Sequence, residues 1–137
     1  MFANGVILQK LQQLEEVLGE LRSLGPVSAS GLEGDWKTRR AIERDLQILV
    51  EVVIDVCQRL ISLAGEVPAA AGADAVERCV KLGVLACAEP YRRMVQFRNF
   101  VVHRYDRVDP EILVEIVNRR LEDFDRFRGE VLSYVRG

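Results

Sequence analysis

The chain has one histidine, His103, and three cysteines, Cys57, Cys79 and Cys87, in 137 residues. None of the cysteines stands in a CxxC pair, and a lone imidazole does not complete a ligand set, so no metal site is expected. An odd number of thiols on helical segments should remain reduced and mostly buried. No apolar run approaches the ~20 uncharged residues of a bilayer span. The N-terminal Met1-Phe2-Ala3-Asn4-Gly5 lacks the basic start and long apolar run of a secretory signal, so the expected location is the cytoplasm. A net charge of −2 leaves no polycationic surface for sequence-independent binding of nucleic acid. No Gly-Ser phosphate loop is followed by paired aspartates, which excludes nucleotidyl transfer by this chain itself. Internal repeats, low-complexity tracts and convincing strands are absent as well.

What is present is helical patterning over a single domain, residues 1–137. The composition, 49% hydrophobic and 29% charged, is that of an ordinary globular protein. Ile7, Leu11, Leu14, Leu18 and Leu21 form one narrow seam, closed by Gly25-Pro26 and a loop through Gly34. Asp35 suits the cap of a second, central helix. This helix carries Ile42, Leu46, Leu49, Val53, Val56 and Leu60 inward, with Arg39, Arg40, Glu43, Arg44 and Glu51 expected mostly in water. It fades at Gly65. Asp74-Ala75-Val76-Glu77 has capping-box form for a short third helix that reaches about Leu82 and is interrupted by Gly83. Val84-Leu85 then anchor the chain before a fourth helix that begins near Pro90. Asp109-Pro110-Glu111 restarts the chain, and a last helix places Leu113, Ile116, Val117, Leu121, Phe124, Phe127, Val131 and Val135 inside. The expected architecture is an all-α antiparallel bundle of four to five helices.

The fourth helix concentrates the chemistry. Arg98-Asn99-Phe100-Val101-Val102-His103-Arg104-Tyr105 brings guanidinium, amide, imidazole and phenol groups into one stretch. Arg98 falls inside the apolar stripe of Met94, Phe97, Val101, Val102 and Tyr105. An arginine stays charged in a protein, so it must face an anion or a wet cleft. Asp45 or Asp55 on the central helix is one available partner. His103 lies ~140° round the helix from Arg98, so one straight helix cannot aim both at a single atom. Either the helix breaks before His103 or two copies assemble the site across a symmetric interface. An imidazole near neutral pKa can take the proton of a 2′-hydroxyl while an arginine holds phosphoryl oxygens, the pairing needed to cleave RNA without metal. Asn99 would orient the phosphate or brace His103. Between Tyr91 and Arg107, Arg92, Arg93, Arg98, Arg104 and Arg107 face one acid, Asp106, so the local field is positive and Arg92, Arg93, Arg104 and Arg107 are candidate backbone contacts.

The spacing R-N-x-x-V-H-x-Y resembles the signature of the HEPN superfamily and, within it, the HepT toxins. Their pattern is Arg, four residues, His, any residue, Tyr. Met94-Val95-x-Phe97 before the motif, Val108-Asp109-Pro110 after it and Leu121-Glu122-Asp123-Phe124 near the end extend the likeness over most of the chain. The resemblance implies a dimeric, all-helical ribonuclease toxin with composite sites, Arg98 and His103 being catalytic and no cofactor being needed. It further implies a partner, a minimal nucleotidyltransferase antitoxin that attaches AMP to Tyr105, as in type VII toxin-antitoxin systems. Two other accounts use the same residues. One is a non-catalytic helical module that binds a nucleotidyltransferase or a nucleotide. The other is a structural bundle in which Arg98 pairs with Asp45 or Asp55.

Overall fold

The computed structural model describes residues 2–103 and 108–137. Arg104, Tyr105 and Arg107 of the motif region lie outside the described residues. The elements among those described are helical: α1 (Phe2–Ser23), α2 (Ala29–Glu33), α3 (Trp36–Leu63), α4 (Gly72–Lys81), α5 (Tyr91–His103), α6 (Pro110–Glu115), a π-helical turn (Ile116–Arg120) and α7 (Glu122–Arg136). No helix among these residues is long and apolar enough to cross a membrane.

The boundaries follow from local chemistry. Asp35 caps α3 as expected, accepting from the Thr38 amide at 3.1 Å and from the Thr38 hydroxyl at 2.6 Å. Asp109 accepts from the Glu111 amide at 2.9 Å, with Pro110 in the first turn of α6. Gly83 leaves α4 at φ 85°, a left-handed conformation that glycine adopts without steric cost. Three expectations need correction. The segment before Gly34 holds a short helix, α2, because Ser28 caps it by accepting from the Gly31 amide. The third helix starts at Gly72, with Ala71 in the capping position and no side-chain bond there, so Asp74 serves the first turn by its charge instead. The last helix is not continuous: the wider π-helical turn interrupts it between Glu115 and Leu121.

Contacts along the helices fix an up-down-up-down arrangement. Lys10 meets Asp55 at 3.2 Å, and Glu20 lies close enough to Asp45 to act on it electrostatically, so α1 runs antiparallel to α3. Arg22 pairs with Asp125, and Glu15 with Arg128 at 3.0 Å, so α7 is antiparallel to α1. A Cβ on Gly72 would come within 2.9 Å of Ile54 and 3.1 Å of Val95, so the absence of a side chain lets α4 close on both α3 and α5. Further along, Glu77 meets Arg92 at 3.4 Å and the Cys79 thiol donates to the Cys57 carbonyl at 3.5 Å. Moving up α5 therefore means moving down α3.

The core contains the predicted seam of α1 together with Val17. It also contains Ile42, Leu46, Leu49, Val53, Val56 and Leu60 of α3, the anchor residues Val84 and Leu85, and Leu113, Val117, Leu121, Phe124, Phe127 and Val131 beyond the motif. Truncating one of the fully buried leucines, such as Leu14, to alanine costs roughly 2–5 kcal/mol. Arg40 and Arg44 are exposed as expected, but Glu43 and Glu51 are half-buried and Arg39 is only 4% exposed. Arg39 precedes Ile42 and Leu46 at steps of three and four and so continues their stripe into the core. Its Nε lies 3.7 Å from Glu43, too far for a hydrogen bond, and Nε and Nη1 have no hydrogen-bond partner. Cys57 and Cys79 are buried free thiols, whereas Cys87 is exposed. Cys87 stands between the Glu89 carbonyl, to which it donates, and the Arg126 guanidinium 3.6 Å away.

Candidate functional site

Helix α5 carries the candidate site, and the sequence sets how it sits. Tyr91, Met94 and Val95 are buried. Their directions, taken at 100° per residue, average close to that of Arg98. Arg98 thus occupies the middle of the face that α5 turns to the core. Tyr91 locks the start of the helix: its ring packs edge-on to Phe127 with centroids 5.5 Å apart, and its hydroxyl donates to Glu130. Burial and the Glu130 carboxylate push the Tyr91 phenol well above its usual range. Glu130 also accepts from the Ala86 amide at 3.0 Å, which ties the segment before α5 to α7.

Arg98 is half-buried, and its Nε is enclosed with no hydrogen-bond partner. Neither carboxylate considered from the sequence reaches it. Asp55 is taken by Lys10. Asp45 lies near Glu20, and burial, together with that neighbouring negative charge, raises its pKa. The guanidinium therefore has capacity left for an anion. His103 is the last residue of α5 and is exposed. The helix does not break before it, so the five steps from Arg98 carry His103 ~140° round and ~7.5 Å along the axis. Asn99 is exposed, and no hydrogen bond joins it to His103. Val102, placed in the apolar stripe by its spacing, is 44% exposed, while Phe97 and Val101 are half-buried. The stripe is thus covered at its start and open toward His103.

The flanking arginines divide. Arg92 is engaged by Glu77. Arg93 is exposed, has no ion pair among the described residues, and stands at the edge of a cavity of about 340 Å³. That cavity, between α5, α3, α6 and α7, is lined by Leu46, Val50, Met94, Phe97, Ile112, Ile116 and Phe124, with Asp123 and Arg120 beside Arg93. Sequence reasoning missed it. The π-helical turn contributes Ile116 and Arg120 to its wall, and no residue pattern announced that turn. Burial raises the Asp123 pKa, although Arg120, Arg126 and Arg93 act in the opposite sense. Among the described residues no group of three His, Cys, Asp or Glu side chains could hold a metal ion.

The fold is shared with solved toxin structures. A tri-AMPylated Shewanella oneidensis HEPN toxin, solved in complex with an MNT antitoxin, superposes with a TM-score of 0.83 at 20% identity, covering 93% of this chain and 97% of that one. A toxin-antitoxin complex solved with AMP-PNP gives 0.84 at 18% identity, covering 94% and 98%. No curated protein sequence matches. The model of the ribonuclease HepT-like family matches residues 7–131, which is most of the chain and includes the whole Arg98 to Tyr105 motif. The chain belongs to the ribonuclease HepT-like family.

Proposed function

We propose that this protein is an endoribonuclease toxin that cleaves RNA without a metal ion, at sites built by two copies of the chain. The observation that carries this reading is the state of Arg98. A half-buried cation in the middle of the buried face of α5, whose Nε has no hydrogen-bond partner among the described residues, suits an external anion that reaches the outer nitrogens of the guanidinium. A phosphodiester supplies one. In the proposed step the His103 imidazole takes the proton of a ribose 2′-hydroxyl. The 2′-oxygen then bonds to phosphorus, and Arg98 holds the non-bridging oxygens as their charge rises. The bond to the 5′-oxygen breaks, that oxygen takes a proton from water, the His103 imidazolium returns its proton to the solvent, and the products are a 2′,3′-cyclic phosphate and a 5′-hydroxyl. Asn99 orients the scissile phosphate. Arg93, Arg104 and Arg107 meet the RNA backbone, with Arg92 joining them when it leaves Glu77.

The two-copy arrangement follows from α5 being unbroken. Because Arg98 and His103 diverge by ~140° on one helix, a shared phosphate takes Arg98 from one protomer and His103 from its partner. The open end of the apolar stripe, with Val102 44% exposed, supplies surface for that pairing.

Control by a minimal nucleotidyltransferase is the second half of the proposal. AMP joined to the Tyr105 hydroxyl, two residues after His103 in the sequence, adds a negative phosphate and a bulky base to the motif, and both oppose RNA binding. The test is cleavage of total RNA by purified protein in excess chelator. The parent cuts, while Arg98→Ala and His103→Ala do not; equal cutting by all three proteins would refute the assignment. Intact mass of protein co-produced with a minimal nucleotidyltransferase should show added AMP units that disappear in Tyr105→Phe.

A further inference from the structure

The phosphate chemistry at Arg98 makes no use of the cavity beside it. Its volume, about 340 Å³, falls at the small end of the roughly 300–1,000 Å³ typical of small-molecule sites. Phe97 and Phe124 supply aromatic walls, and Met94, Ile112 and Ile116 complete an apolar interior. Arg93, Glu111, Glu115, Arg120 and Asp123 also line it, and of the two carboxylates without an ion pair among the described residues Glu111 is exposed while Asp123 is half-buried. No hydrogen bond or ion pair among the described residues reaches the half-buried Asp123 carboxylate. Glu115 takes Arg120 at 3.3 Å, and Arg93 acts on Asp123 electrostatically but makes no ion pair among the described residues.

We propose that this cavity seats one nucleobase of the RNA strand whose adjoining phosphate lies at Arg98, and that Asp123 selects bases carrying an exocyclic amine. The inference rests on the ribonuclease reading of the motif. Single-stranded RNA is recognised by splaying bases onto aromatic side chains and reading their edges by hydrogen bonds. Arg98 is not part of the cavity wall; it follows Phe97 on α5 about 100° further round the helix, a separation that a nucleotide spans because the ribose sets its phosphate several ångströms from its base. Arg93 is placed to meet the next phosphate at the mouth. The carboxylate decides between occupants. Aliphatic side chains of a second copy would desolvate Asp123 further and give it no donor, whereas an amino group of adenine, cytosine or guanine satisfies it. Uracil fits poorly, because its one N–H lies between two carbonyl oxygens that repel a carboxylate.

The experiment is a titration of the methyl-labelled parent protein with AMP, CMP, GMP and UMP, which contain no bond for the protein to cut. The methyl signals of Ile112 and Ile116 should shift with AMP, CMP and GMP. UMP should bind roughly tenfold more weakly, a factor equal to one hydrogen-bonded contact. Asp123→Asn should level the four while leaving the fold intact. Methyl signals that ignore every nucleotide at millimolar concentration would overturn the proposal. So would signals that respond only to protein concentration, since the cavity would then belong to a contact between copies. The titration does not depend on cleavage. A protein that binds nucleotides here but cuts no RNA would therefore sink the nuclease reading and leave the base site standing, while an active nuclease without methyl shifts would do the reverse.

Discussion

Mixing two inactive proteins should restore activity. If each site takes Arg98 from one protomer and His103 from the other, a dimer of one Arg98→Ala subunit and one His103→Ala subunit contains one intact site and one site lacking both groups. Random exchange makes half of the dimers mixed, and half of their sites are whole, so the mixture should reach about one-quarter of parental activity. The estimate follows from the geometry of α5. The five steps from Arg98 to His103 rotate the second group ~140° and advance it ~7.5 Å, and the helix runs unbroken to His103. The assay is cleavage of a fluorogenic oligoribonucleotide after the two variants have been co-unfolded and refolded, with subunit exchange followed by mass on intact dimers. Recovery near one-quarter supports a composite site. Activity that stays at the level of the separate variants, despite proven mixed dimers, would refute it, because both groups would then have to act from one subunit.

Three further outcomes follow from the fold. Arg39→Met should leave the unfolding free energy unchanged or raise it by about 1–4 kcal/mol, since it replaces a buried, poorly paired guanidinium with an apolar chain; a loss above about 2 kcal/mol in chemical denaturation would mean that Arg39 has a partner. Tyr91→Phe should cost about 1–3 kcal/mol at neutral pH by leaving a Glu130 oxygen without its donor. The same variant should alter the alkaline limb of stability. The folded Tyr91 phenol holds its proton to higher pH than the unfolded one, so its contribution is complete below about pH 10 and is lost above it at up to ~1.4 kcal/mol per unit. Denaturant midpoints from pH 8 upward should fall more steeply for the parent than for Tyr91→Phe, and parallel curves would contradict the buried phenol. Asp45→Asn should raise the thermal midpoint at neutral pH, because burial and Glu20 disfavour the Asp45 carboxylate in the folded state, and the gain should shrink as the pH falls and Asp45 takes up its proton.

The sequence was most legible where one physical rule decided the outcome. The seam of α1 was plain because heptad-like spacing admits one buried face, and every seam residue is buried. Asp35 and Asp109 were readable as caps because a short side-chain acceptor before a helical pattern has little else to do. Arg98 was singled out by a charge in an apolar stripe, and the structure places it on the buried face of α5. The same rule applied to Arg39 would have found it, since Arg39, Ile42, Leu46 and Leu49 follow steps of three and four; a terminal arginine next to other charges reads as solvated unless the stripe is extended back to it. Other features had no local signal. The π-helical turn is one of them, since Ile116–Arg120 contains nothing that forbids an ordinary helix. The cavity is a gap between four helices, and pairwise packing rules do not reveal gaps.

The chemistry of the cut ends tests the central claim most directly. RNA cleaved by the purified protein, mapped by ligation that discriminates terminal groups, should carry a 2′,3′-cyclic phosphate on one side and a 5′-hydroxyl on the other. Fragments ending in a 3′-hydroxyl and a 5′-phosphate would show that water, and not the ribose 2′-oxygen, attacked phosphorus, and would contradict the roles given to His103 and Arg98.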